Sequence, residues 1–127
     1  MSDAIAFARV IVCDDSPELR AVVRMVLERD GDLRVVGEAG DARAAVALAA
    51  SERPDAIVLD LTMPGGDPAR LIPAVRNCAP AAGLVVYSGV GAERVRTLLD
   101  GHADVLHVPK ASPTPRLVAA VRAAAAS

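Results

Sequence analysis

The sequence predicts an α/β fold, in which five helices cover both faces of a five-stranded parallel sheet. Short β-branched runs alternate five times with segments of helical period along the 127 residues, the pattern of a parallel sheet. The run at residues 56–59 is apolar at every position, as in a central strand covered on both faces. With 53% hydrophobic residues the chain can bury one continuous core, so we expect a single domain over residues 1–127.

The first strand and helix are well marked. The strand is predicted at residues 9–13 and ends at the acidic pair Asp14 and Asp15. Ser16 followed by Pro17 is typical of a helix N-cap and first helical residue. Apolar residues then recur every three or four positions, which predicts a helix with one buried stripe. The stripe consists of Leu19, Val22, Val23, Val26 and Leu27.

Two further strands follow, separated by a helix. A second strand is predicted at residues 33–36, and an alanine-rich helix begins after Asp41 and continues to about Ser51. The third strand, residues 56–59, stops abruptly at Asp60. The seven residues after Asp60 contain two glycines and a proline and are predicted to form a loop.

The third unit begins with a helix predicted over residues 68–78, and its internal Pro73 belongs to the first two turns or kinks the helix. The fourth strand, residues 84–87, ends at Ser88. A short helix closed by Gly101 follows, because glycine is the usual residue just after a helix.

The fifth strand is predicted at residues 105–108 and continues into Pro109 and Lys110. Ser112 and Pro113 then predict the start of a last helix. Its apolar side consists of Leu117, Val118 and Val121.

Charge and composition exclude several classes of protein. Fourteen basic and 16 acidic residues give a net charge of -2, so nothing indicates direct binding to nucleic acid or to a membrane. No apolar stretch reaches the roughly 18 residues of a membrane span, and the N-terminus lacks the pattern of a secretory signal. Two distant cysteines, Cys13 and Cys78, fit a reducing cytoplasm, where we expect the protein to act.

The polar residues that end four strands form the candidate site. The carboxyl ends of parallel strands meet at one edge of the sheet, where ligands bind; Asp14, Asp15, Asp60, Ser88 and Lys110 therefore converge there. Three crowded carboxylates need a compensating cation, and Mg²⁺ prefers such oxygen ligands. A carboxylate can also attack phosphorus and form an aspartyl phosphate, and a carboxylate at the end of an apolar central strand is costly to bury without such a role.

Two other classes fit less well. A phosphatase of the haloacid-dehalogenase type needs an acid-base carboxylate two residues after its nucleophile, and Thr62 occupies that position. A nucleotide-binding module would carry a glycine-rich phosphate loop after a strand, and the sequence contains no such motif. The sequence therefore disfavours both of these classes.

These residues, taken in order, resemble the response-regulator receiver domains of two-component signalling over nearly the whole chain. The likeness rests on Asp14-Asp15, on Asp60 followed by Met63-Pro64-Gly65, and on Ser88 and Lys110. It implies a flavodoxin-like sheet of strand order 2-1-3-4-5, with no output domain in this chain. The segments at residues 35–39 and 110–113 further resemble receivers that precede a helix-turn-helix DNA-binding domain.

The resemblance also implies a role for each site residue. Asp60 would accept a phosphoryl group from a histidine kinase, and Mg²⁺ would be held by Asp14, Asp15, Asp60 and the backbone carbonyl of Thr62. Ser88 would meet the phosphoryl group, and Lys110 would pair with it or with Asp60. By this likeness the domain would be a phosphoacceptor that assists its own phosphorylation and dephosphorylation, not an enzyme. The face formed by the fourth helix, fifth strand and fifth helix, or the face of the first and fifth helices, would then change its affinity for an output domain, an effector or a second copy in a phosphorylation-dependent homodimer.

The chain departs from the family pattern near Lys110. His107 stands where the family has an aromatic switch residue, and Pro109 replaces an aliphatic residue. A pH-sensitive His107 and a solvated strand-end histidine both remain open. A pseudo-receiver, a protein-binding module that acts without phosphorylation, is the alternative to the phosphorylated switch.

Overall fold

The computed structural model describes residues 6–126, which form one sheet of five parallel strands with five helices. The strands lie in the order β2-β1-β3-β4-β5, so the predicted α/β, flavodoxin-like fold is confirmed. The strands are β1 Ala8–Cys13, β2 Leu33–Ala39, β3 Ala56–Leu59, β4 Gly83–Ser88 and β5 Leu106–Pro109. The helices are α1 Pro17–Glu28, α2 Ala42–Glu52, α3 Pro68–Cys78, α4 Ala92–Leu98 and α5 Thr114–Ala125.

The sheet separates two hydrophobic cores. Alternate residues of β1 point to opposite faces, so Val10 and Val12 join one core whereas Ile11 joins the other. The first core lies under α1 and α5 and includes Leu27 and Leu117; the second lies under α2, α3 and α4. Because both faces of the central strands are covered, polar groups lie at the ends of these strands, and Asp14 and Asp60 follow the carboxyl ends of β1 and β3.

Capping residues start three helices where the sequence predicts them. The Ser16 hydroxyl accepts a hydrogen bond from the Leu19 N–H at 3.1 Å. Asp41 caps α2 and Asp67 caps α3 in the same way. Pro73 lies in the second turn of α3, which continues past it to Cys78.

The fifth helix starts later than predicted. Ser112 and Pro113 do not open it, because Pro113 is extended (ψ 144°) and α5 begins at Thr114. A second proline, Pro115, occupies the first turn of α5, where a missing N–H costs nothing. The Ser112 hydroxyl instead accepts a hydrogen bond from Arg116 at 3.3 Å.

Other boundaries shift, and one predicted core residue is exposed. Strand β2 extends three residues beyond the prediction because it pairs with β1 as far as Ala39. Strand β5 begins one residue later than predicted, and α4 ends three residues before Gly101. Val22 is 44% exposed, since it lies at the edge of the α1 stripe. None of the helices within residues 6–126 is long and apolar enough to cross a membrane.

Candidate functional site

Asp60 is the buried carboxylate at the centre of the site. It directly follows β3, is 1% exposed, and its N–H donates to the Cys13 carbonyl at 2.9 Å. Oδ1 accepts hydrogen bonds from the N–H and hydroxyl of Thr62 at 3.0 and 2.9 Å. Oδ2 lies 3.2 Å from Nζ of Lys110. Burial of this charge is thus offset by one cation and two donors, as a buried carboxylate requires.

Lys110 joins two carboxylates. Its Nζ lies 2.8 Å from Asp14 Oδ2 and 3.2 Å from Asp60 Oδ2. Burial by itself lowers the pKa of Lys110, but hydrogen bonds and charges from Asp14 and Asp60 outweigh it and raise that pKa. The lysine stays charged, and its backbone N–H donates to the Ser88 carbonyl at 3.0 Å, which fixes it beside the end of β4.

The acidic pair after β1 is divided between a buried and an exposed residue. Asp14 is buried, and its Oδ1 accepts from the Ser16 N–H at 2.9 Å. Asp15 is exposed. Asp14, Asp15 and Asp60 each offer a carboxylate oxygen, and these oxygens lie within 4.8 Å of one another. Three carboxylates against the single charge of Lys110 leave a net negative site, which suits a hard divalent cation.

No hydrogen bond or ion pair joins the side chain of Ser88 or His107 to this cluster within residues 6–126. Ser88 is 1% exposed, and its hydroxyl oxygen accepts from the Val90 N–H at 3.1 Å. His107 pairs with Val86 across β4 and β5. Its Nε2 is buried without a hydrogen-bond partner within residues 6–126, and burial, helped by the charge of Arg116, lowers its pKa.

A cavity of about 460 Å³ lies between α4 and β5 and is lined in part by His107. Val95 of α4 and Leu99, which directly follows that helix, line one side, and His102 belongs to the following turn. The cavity gives the His107 ring a space beside it that the close-packed residues of the central strands do not have.

The structure therefore brings Asp14, Asp15, Asp60 and Lys110 together, as the sequence predicts. Thr62 lies next to them and donates two hydrogen bonds to Asp60. The roles of Ser88 and His107 in a switch, and of the Thr62 carbonyl as a metal ligand, stay predictions.

Arg20 also contacts the site, although no sequence pattern places it there. Its Nη1 donates to the backbone carbonyl of Asp14, and its Nε lies 3.0 Å from Glu38 Oε1. One signal was available: a cation in the first turn of a helix opposes the helix dipole. An arginine at that position therefore indicates a tertiary partner, although not which one.

Comparison with known proteins defines the class. Residues 10–122 match the family model of the response regulator receiver domain. The chain belongs to this family of two-component response regulators, and the resemblance found in the sequence is confirmed.

Its relatives include several kinds of response regulator. The chain is 39% identical, over 92% of its length, to protein-glutamate methylesterase/protein-glutamine glutaminase 5 of Myxococcus xanthus, and covers 36% of that protein. It is 34% identical to the nitrate/nitrite response regulator NarL of Escherichia coli, over 93% of this chain and 55% of the relative. The chain thus spans about one third to one half of these curated relatives.

Solved structures give the same result. The signal receiver domain of the putative response regulator NarL from Mycobacterium tuberculosis superposes with a TM-score of 0.85 and 33% identity, covering 96% of this chain and 98% of that one. Receiver domains of the NarL type are therefore close structural neighbours.

Proposed function

We propose that this domain is a phosphorylation-dependent switch that accepts a phosphoryl group from a histidine kinase onto Asp60 with Mg²⁺. The observation that carries the proposal is the buried Asp60 carboxylate, 3.2 Å from Lys110 Nζ and clustered with Asp14 and Asp15. Family membership supports the same reading.

In the reaction, a carboxylate oxygen of Asp60 forms a bond to phosphorus while the bond from phosphorus to the phosphohistidine nitrogen breaks. The nitrogen keeps the electron pair, and the product is an aspartyl phosphate. The Lys110 ammonium, already beside Asp60, supplies positive charge for the phosphoryl oxygens. The domain is consumed as substrate in this step, so we propose a phosphoacceptor and not an enzyme.

The cation site fits the residues that are present. Asp14, Asp15, Asp60 and the carbonyl of Thr62 would hold Mg²⁺, which supplies charge opposite the phosphoryl oxygens and reduces carboxylate repulsion. Asp14 already uses Oδ1 on Ser16 and Oδ2 on Lys110. Asp15 is exposed and is therefore the readier direct ligand.

Ser88 and His107 would transmit the change. The phosphoryl group adds up to about two negative charges, which we propose draw the Ser88 hydroxyl away from Val90 and draw Lys110 closer. His107 then moves relative to the cavity beside α4. The face formed by α4, β5 and α5 would thereby change its affinity for a partner.

The partners belong to the same proposal. The two curated relatives named above are longer than the region that matches this chain. Their names describe a methylesterase/glutaminase and a nitrate/nitrite response regulator. We propose that this receiver controls an output domain or effector, with transcription regulation as the first candidate. A phosphorylation-dependent homodimer, a cytoplasmic location and no direct contact with nucleic acid complete the proposal.

The test is intact-protein mass spectrometry after incubation with acetyl phosphate and Mg²⁺. We expect one phosphoryl adduct, which disappears in Asp60→Asn and when the cation is chelated. Asp67→Asn is the matched control, because Asp67 lies in the loop after β3 but caps α3 instead of facing the cluster. If the wild type gains no adduct, the pseudo-receiver reading replaces this proposal.

A further inference from the structure

Arg20 is tied to the acidic pair through the backbone of Asp14. Its side chain is only 19% exposed. One end of the guanidinium donates to the Asp14 carbonyl, and Nε lies 3.0 Å from Glu38 Oε1 at the end of β2. The arginine thus fastens the turn after β1 to the neighbouring strand.

The surroundings hold the guanidinium in this position. Glu38 Oε2 lies 3.2 Å from Arg24 Nε, so Glu38 forms ion pairs with both arginines. On the other side, a Cβ at Gly40 would come within 3.2 Å of Arg20 Nη1 and 4.0 Å of the Asp14 carbonyl oxygen. The glycine therefore leaves the space that the guanidinium occupies.

Every polar group of Asp14 takes part in a hydrogen bond or an ion pair. Its N–H donates to the Ala39 carbonyl at 2.9 Å, and its carbonyl accepts from Arg20. Oδ1 accepts from the Ser16 N–H and Oδ2 pairs with Lys110. Asp14 is a fixed support, and it cannot rotate without breaking several hydrogen bonds.

The same contacts restrict the backbone of the exposed Asp15. The carbonyl that Arg20 holds belongs to the peptide bond between Asp14 and Asp15, and that bond is planar. Fixing the carbonyl direction therefore fixes the plane from which the Asp15 side chain leaves. Arg20 reaches the cation site through the backbone, and no hydrogen bond or ion pair joins its side chain to Asp15 within residues 6–126.

We propose that Arg20 is a positioning residue, whose guanidinium orients the Asp14–Asp15 peptide and so places the two carboxylates for a divalent cation. The inference rests on the proposed function, because it concerns the same cation site. It adds a residue whose effect on that site is indirect.

The charge of Arg20 and its positioning contact should change Mg²⁺ affinity in opposite directions, which makes the inference testable. A guanidinium near three carboxylates weakens cation binding by repulsion, so loss of its charge alone would tighten Mg²⁺. Loss of the positioning contact would weaken it. Arg20→Lys keeps the charge but removes the planar fork that reaches both partners, so it isolates position.

The experiment measures Mg²⁺ affinity by calorimetry and the Mg²⁺ dependence of phosphorylation by acetyl phosphate. For Arg20→Lys we expect affinity to fall by roughly tenfold, as for other residues that orient metal ligands. The rate at saturating Mg²⁺ should stay within about twofold of wild type, since the reacting groups are unchanged. Arg24→Lys, the same change on the other side of Glu38, should leave both quantities at wild-type values.

A second variant tests the contact without altering any charge. Gly40→Ala pushes a methyl group against Arg20 Nη1. It should therefore lower Mg²⁺ affinity, as Arg20→Lys does, but by a smaller factor. Gly91→Ala, where the added methyl meets nothing within 4 Å, is its control. This pair also decides the matter if Arg20→Lys does not fold.

The outcomes separate the two proposals. If wild type binds Mg²⁺ and is phosphorylated while Arg20→Lys and Gly40→Ala match it, positioning is wrong and the switch stands. If Arg20→Lys binds Mg²⁺ more tightly although it keeps the charge, the native guanidinium contact opposes cation binding and positioning is also wrong. If wild type neither binds Mg²⁺ nor gains a phosphoryl group, the proposed function fails first and the inference falls with it.

Discussion

The two sides of the functional edge are built differently. Around Asp14 and Asp60, each carboxylate oxygen has a protein donor or the Lys110 ammonium. At the ends of β4 and β5, the Ser88 hydroxyl accepts only from the nearby Val90 N–H among the described residues, and the His107 Nε2 is buried without a partner there. A cavity lies beside His107. Groups held by several hydrogen bonds suit in-line chemistry, whereas a side chain beside open space has room to move.

The helices show the same contrast. Helix α1 has twelve residues and a Ser16 cap that binds the Leu19 N–H. Helix α4 has seven residues, no side-chain cap, and Val95 as its one buried residue. The contrast teaches that the fold concentrates its side-chain hydrogen bonds around Asp14 and Asp60, whereas the side formed by β5 and α4 is, in our proposal, the part that repacks.

The largest effect on stability should come from removing the Lys110 ammonium. Lys110→Met leaves the buried Asp14 and Asp60 carboxylates facing each other unpaired, so we expect a loss of about 3 kcal/mol in the free energy of unfolding. Mg²⁺ should restore part of this loss, because it replaces the missing charge. Urea unfolding with chelator and with Mg²⁺ measures both.

Arg116→Met provides the control for Lys110→Met, since Arg116 is an exposed cation on α5 without a carboxylate partner in the described part of the chain. Its loss should be small in either buffer. An equal destabilisation of the two variants would contradict the contrast between the two sides.

A smaller effect is expected at His107. His107→Phe removes a buried nitrogen that has no partner, so we expect about 1 kcal/mol of stabilisation at pH 7.5. Because the folded state lowers the pKa of His107, protonation disfavours folding. Wild type should therefore lose stability relative to the variant as pH falls below about 6.5, the unfolded value.

Thermal unfolding from pH 8 to pH 5 checks the His107 prediction. His102→Phe is the control, because His102 has no buried unpartnered nitrogen within residues 6–126 and should gain no stability at pH 7.5. If the stabilities of wild type and His107→Phe changed in parallel with pH, folding would not lower the pKa of His107 and the prediction would be wrong.

The smallest energetic effect, but a clear chemical one, concerns the cysteines. Cys13 is buried beside Asp14 and Cys78 is exposed at the end of α3. Burial raises the pKa of Cys13 to about 12, so its thiol stays neutral and unreactive at pH 8. Iodoacetamide should modify Cys78 alone in the native protein and both residues in urea, as peptide mass spectrometry can show. Rapid native labelling of Cys13 would mean that the acidic edge opens readily.

Much of the fold could be predicted because its signals are local. The all-apolar strand β3 has the predicted bounds, and Ser16 and Asp41 cap the helices that the sequence places after them. The errors are of another kind. The extension of β2 to Ala39 depends on pairing with β1, and the exposure of Val22 depends on which neighbour covers α1.

The sequence by itself determined the class of fold and the convergence of Asp14, Asp15, Asp60, Ser88 and Lys110 on one edge. It could do so because hydrophobic periodicity defines strands and helices, and parallel strands carry their ends to the same side.

Only the tertiary structure decided how those residues meet. Lys110 bridges Asp14 and Asp60, and Arg20 holds the Asp14 carbonyl from the neighbouring helix. Such contacts join residues far apart in the chain, and their distances depend on the packing of whole elements. No local pattern encodes that packing, which is why the acidic edge was predictable as a set of residues but not as a hydrogen-bonded network.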